Sequence, residues 1–162
     1  MLDSEIVLKR NLFFSTKILK NGEKIGTIWN SGTCDFNKNK FTLFINNTTL
    51  GKETLSIFND KNKLVAFGER VIDKDPKAWG FWSWTKGHIK LKVYDKSFVT
   101  ASIRGNGNEV VFAPNSTNPI LKINSNFFRE KILFDKQKLT EEEAILLILV
   151  IYIIPDCRTS GS

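Results

Sequence analysis

The stretch Ala144-Ile145-Leu146-Leu147-Ile148-Leu149-Val150-Ile151-Tyr152-Ile153-Ile154, AILLILVIYII, decides how the rest of the chain is read. Its eleven residues show no polar face, in a chain whose charged residues make up 25% of the total. A helix crossing the bilayer hydrocarbon needs about 20 apolar residues, and this one meets Pro155 first. The segment is too short for a membrane span. Its start is marked: Thr140 can cap the amide of Glu143, Glu143 can reach back, and Glu141, Glu142 and Glu143 suit the positive end of a helix dipole. The pattern predicts one helix over residues 140–154, roughly 21 Å long. A helix lying in a membrane interface would carry a charged face, and this one has none. Apolar all round, it must be enclosed by the rest of the chain.

The wall is written in short runs rich in Val, Ile, Phe, Thr and Trp, at residues 5–14, 23–29, 40–46, 54–58, 63–72, 79–86, 88–94, 97–104, 109–112, 120–124 and 127–134. Turn chemistry separates them: Asn21-Gly22, Asn59-Asp60-Lys61-Asn62, Lys86-Gly87, Tyr94-Asp95-Lys96 and Asn106-Gly107. Strands followed by one buried helix predict a mainly β fold, a closed antiparallel barrel of about 11 or 12 strands with the hydrophobic C-terminal helix through its centre. One domain over residues 1–155 accommodates it, with 156–162 as a short polar tail. A chain of 162 residues can bury roughly two thirds of its unfolded surface, enough for a real core.

Charge and cysteine content narrow the chemistry. The net charge of +7 is spread evenly along the chain, with no run of five like charges that would form a basic arm. Cys34 and Cys157 match neither a disulfide framework nor a zinc spacing, and residues 1–9 lack the apolar run of a signal peptide, so the expected location is cytoplasmic. His88, the sole histidine, has no nucleophile motif beside it and reads as an exposed turn residue. Asp60, Asp73 and Asp75 lack calcium-loop spacing, and Gly105-Asn106-Gly107 lacks the third glycine of a dinucleotide site. No metal, cofactor or catalytic residue is implied.

The strand-then-helix order, ending in Glu143-Ala-Ile-Leu-Leu-Ile-Leu-Val-Ile-Tyr-Ile-Ile154, resembles the tubby C-terminal-domain-like superfamily, which includes tubby, the phospholipid scramblases and the plant LURP-one-related proteins. The resemblance implies a barrel plugged by its last helix. It also implies binding rather than catalysis, since tubby binds phosphoinositides. The chain lacks the cysteine-rich and proline-rich N-terminus, the acidic calcium-type segment and the membrane-length helix of the scramblases, so lipid translocation is not implied.

The residues 79–94, WGFWSWTKGHIKLKVY, carry the candidate binding surface. With Lys86-Gly87 as the turn, Trp84 would face Ile89 and Trp82 would face Leu91 on the core side, while Phe81 would face Lys92, Ser83 Lys90 and Trp79 Tyr94 on the other. Trp79, Phe81, Lys90, Lys92 and Tyr94 would then form an outer patch of aromatics and cations, suited to a membrane interface, a phosphate-bearing headgroup or stacked bases. The expected function is a non-enzymatic binding or scaffold domain engaging anionic phospholipid or a protein partner, peripheral at the membrane. The alternative is a hydrolase-like enzyme with a surface cleft. Nucleic-acid binding would need a concentrated basic stripe beyond Lys90 and Lys92, which the sequence does not display.

Overall fold

The computed structural model describes residues 1–11, 15–47, 53–72, 87–102, 108–126 and 129–156. Twelve strands and one helix follow in order: β1 (Ser4–Arg10), β2 (Ser15–Lys20), β3 (Glu23–Trp29), β4 (Thr33–Phe36), β5 (Asn39–Asn47), β6 (Glu53–Phe58), β7 (Leu64–Ile72), β8 (Gly87–Val93), β9 (Lys96–Ser102), β10 (Asn108–Phe112), β11 (Pro119–Asn126), β12 (Arg129–Phe134) and α1 (Glu141–Asp156). Each strand pairs antiparallel with the next, and β1 closes the barrel on β12. Each of the twelve described strands therefore has a neighbour on both sides.

Alternation sets the two faces of the wall. In β8, Ile89, Leu91 and Val93 point inward and are buried, while Lys90 and Lys92 are exposed. The same parity sends Ile6, Leu8, Ile18, Phe36, Phe41, Leu55, Ile57 and Ile132 into one core with the helix. Asn21 and Gly22, with φ of 51° and 81°, make the tight β2–β3 turn that an Asn-Gly pair favours.

Helix α1 fills the lumen. Every residue from Ala144 to Ile151 is at most 2% accessible, so the helix is covered on all sides, with β6, β7 and β8 as its nearest wall. A helix is about 10 to 12 Å across with its side chains, which turns the interior of a twelve-stranded barrel into a packed core. The helix continues one residue beyond Pro155, which sits in the last turn rather than ending it.

The first turn of α1 fastens the plug to the barrel rim. The amide of Glu143 donates to Thr140 Oγ1 at 3.1 Å and the amide of Thr140 donates to Glu143 Oε2 at 2.9 Å, the reciprocal cap expected from the sequence. Glu141 pairs with Lys20, Glu142 accepts from the Tyr94 hydroxyl, and Glu143 takes Lys96 Nζ at 2.9 and 3.0 Å. All three first-turn carboxylates are thereby bound to strand ends. Because Glu143 both caps the helix and pairs with Lys96, Glu143→Ala should cost about 2 kcal/mol, against about 1 for Thr140→Ala. Urea unfolding midpoints with unchanged slopes would measure both.

Two strands escape the sequence reading. β2 and β4 lie where no run was expected, and the first run, placed over residues 5–14, ends at Arg10. His88 is a strand residue opposite Val71 rather than a turn residue.

Candidate functional site

The outer wall over β7, β8 and β9 holds the candidate surface. Register places Phe67, Lys92 and Ser97 in one outward row and Glu69, Lys90 and Val99 in the next. The rows border a groove of about 280 Å³ lined by Phe67, Glu69, Lys90, Lys92, Ser97 and Val99, with Pro114 at its edge. A second groove of about 160 Å³ lies beside it, with Leu64, Phe67, Lys92 and Tyr94 in its lining. Lys92 and Phe67 border both. Among the described residues, neither Lys90 nor Lys92 has an ion pair or side-chain hydrogen bond, so both ammonium groups are available to a ligand.

Aromatic surface continues from these grooves across β6 and β5. Phe44 is 59% exposed and packs edge to face on Phe58, with ring centroids 5.6 Å apart and planes at 83°. Phe58 pairs with the exposed Leu64, and Ser56 links Phe44 to Phe67 across the sheet. Four outward apolar side chains, Phe44, Phe58, Leu64 and Phe67, therefore adjoin two unpaired cations.

Of the expected site residues, the structure brings together Lys90, Lys92 and Tyr94. Trp79 and Phe81 lie outside the described residues. The expected hairpin register is corrected, because both edges of β8 from Lys90 to Val93 are taken: Lys90 lies between Glu69 and Val99, and Lys92 between Phe67 and Ser97. Beyond Lys90 the β8–β9 ladder stops, and the amide of Ile89 donates to the buried Thr100 Oγ1 at 2.9 Å instead. Tyr94 stands at the rim with its hydroxyl committed to Glu142. Burial, then Glu142 itself, raises its pKa far above the usual phenol range. Tyr94 contributes its ring edge to the smaller groove and its hydroxyl to the clamp.

The interior offers different chemistry. Cys34 faces the core, where burial first and Asp35 second push its thiol up to about 12, which keeps it protonated and unreactive. Glu130 points inward on β12 and pairs with Arg10 at 3.3 Å. Among the described residues no cluster of His, Cys, Asp or Glu is arranged to hold a metal ion, and no helix is long and apolar enough to cross a membrane.

The sequence reading missed Phe44, Phe58, Leu64 and Phe67. A signal for two of them was present: Phe44 breaks the parity set by Phe41 and Leu43, and Phe58 that set by Leu55 and Ile57. An aromatic residue on the polar parity of a strand points to the outer face of the wall. In comparisons with known proteins, no family model matches the chain, and neither does any curated protein or solved structure. The site is accordingly read from its own chemistry.

Proposed function

We propose that the protein is a binding domain, without catalytic activity, that docks reversibly on anionic phospholipid through the outer wall of β5 to β9. The observation carrying this reading is the continuity of exposed Phe44 and Leu64 and half-buried Phe58 with Lys90 and Lys92, which have no ion pair among the described residues. A membrane interface favours that mixture, since aromatic side chains sit at headgroup level while lysines reach the phosphates. The helix occupies the lumen, so a ligand is met on the outside of the barrel. The resemblance to the tubby C-terminal-domain-like superfamily, which rests on the order of strands and plug helix, supports the same assignment. On this reading the protein is a peripheral component of the membrane surface.

Each lysine near an anionic surface contributes about 1 kcal/mol, so replacing both by Ala should weaken vesicle binding about 30-fold at low salt. Phe44→Ser should weaken it further at every salt concentration. Co-sedimentation with phosphatidylcholine vesicles, with and without phosphatidylserine, measures this. If the protein ignores phosphatidylserine, or if Lys90→Ala with Lys92→Ala pellets as the parent does, the lipid reading is wrong.

A further inference from the structure

A second cationic array lies on the wall opposite the grooves, and sequence order hides it. In the register of β2, β1 and β12, Lys17 stands directly opposite Lys9, and Lys9 directly opposite Arg129. The three share the outward parity, since Ile18, Leu8 and Glu130 beside them are the inward residues. Lys9 and Lys17 come from the two arms of one hairpin and Arg129 from the last strand, so no basic run announces them. Directly opposed like charges weaken strand pairing. Yet among the described residues none of the three has an ion pair or a side-chain hydrogen bond. One pleat away, Lys131 is neutralised by Glu5 at 2.9 Å, so an acid is supplied to that neighbour and withheld from the row.

The surroundings of the row indicate what it meets. Asn126 lies opposite Arg129, and the exposed Asn124, opposite Lys131, adds an amide donor one pleat away. Val7, the outward neighbour of Lys9 within β1, is buried, so the strip itself presents little apolar surface. At its far edge Trp29 is 42% exposed and diagonal to Lys17, since Trp29 pairs with Ser15 and Thr27 with Lys17. The indole N–H donates to Asp35 Oδ2 at 3.0 Å, which fixes the ring. Cations in a line, an amide donor and an oriented aromatic suit a phosphate backbone with an unstacked base. Among the described residues, β2, β1 and β12 present the strip as flat strand surface with no helix to enter a duplex groove, which points to a single strand.

We propose that Lys17, Lys9 and Arg129 form a contact strip for the sugar–phosphate backbone of single-stranded nucleic acid, with Trp29 as a stacking platform at its edge. This strip is separate from the lipid-facing wall and does not rest on that assignment.

Fluorescence anisotropy of the full chain with a labelled oligothymidylate over a salt series tests it. Three neutralised phosphates at about 0.7 each give a slope of log K against log salt near −2. Lys9→Glu, at the centre of the row, should lower affinity at least tenfold and bring the slope to about −1 or shallower. The same change puts an acid between Lys17 and Arg129, so the melting midpoint should stay level or rise, which separates lost contact from lost fold. Trp29→Ala should weaken binding about tenfold with the slope unchanged, and Trp29→Phe should restore most of it. Lys90→Ala with Lys92→Ala should leave the oligonucleotide untouched. The proposal is overturned by absent or salt-independent binding, by indifference to Lys9→Glu, by equal or tighter binding of a duplex of the same length, or by equally effective competition from polyglutamate.

Discussion

Leu149→Asp is expected to abolish the native state. Leu149 is fully buried in the middle of α1, where barrel wall surrounds the helix on every side. A carboxylate there has no cation to pair with among the core residues around it, and an uncompensated buried charge costs several kcal/mol, about 3 to 5 by analogy with broken buried pairs. Lost packing adds to this, against a total stability of about 5 to 15 kcal/mol for domains of this kind. The variant should accumulate as insoluble protein or give the circular dichroism of an unfolded chain. Leu149→Ala supplies the graded comparison: it leaves a cavity, costs about 2 to 5 kcal/mol and should remain folded with a midpoint lowered by about 5 to 15 °C. A soluble, cooperatively melting Leu149→Asp protein would mean that the helix is not enclosed.

Gly26→Val should be nearly as damaging, for a reason of space rather than charge. Gly26 faces inward on β3 between Ile18 of β2 and Phe36 of β4. A Cβ at this position would lie 2.4 Å from the carbonyl oxygen of Asp35 and 3.2 Å from both Ile18 Cδ1 and Phe36 Cα. Two of those atoms are backbone of the adjacent strand and cannot swing aside as a side chain can. The sheet would have to open locally. Gly26→Ala should therefore cost about 2 to 3 kcal/mol, the upper part of the usual range for overpacking, and Gly26→Val more than 3 because its γ-carbons enter the same space. Gly22 is the contrast: a Cβ there meets nothing within 4 Å, and its φ of 81° is the sole objection to a side chain. Gly22→Ala should cost about 1 kcal/mol, and the ordering of the three variants by thermal midpoint checks the argument.

The fold was legible in the sequence where one residue pattern admitted one physical solution. The helix from Ala144 onward has no polar face, so it demanded a wall, and the cap formed by Thr140 and Glu143 appears as their spacing implies. Short or weakly apolar strands were not legible. Thr33–Phe36 spans four residues, and Ser15–Lys20 contributes Ile18 alone as a fully buried residue, so neither stands out as a hydrophobic run. The outward placement of Lys90 and Lys92 was legible because they alternate with Ile89 and Leu91 within one strand. Their neighbours were not, since cross-strand partners depend on register, and the aromatic run at residues 79–86 was assigned the edge that β7 takes. The row of Lys17, Lys9 and Arg129 has the same character: each residue is unremarked in its own strand, and closure of β1 on β12 brings them into line.

Hydrogen exchange along α1 reports whether the barrel wraps its last helix. If it does, the amides of residues 144–151 exchange only when the whole domain unfolds, with an opening free energy equal to the global stability and a matching response to urea. Exchange of those amides within minutes under conditions where the strands remain protected would show that the helix leaves the barrel, and would contradict the architecture on which both surface assignments depend.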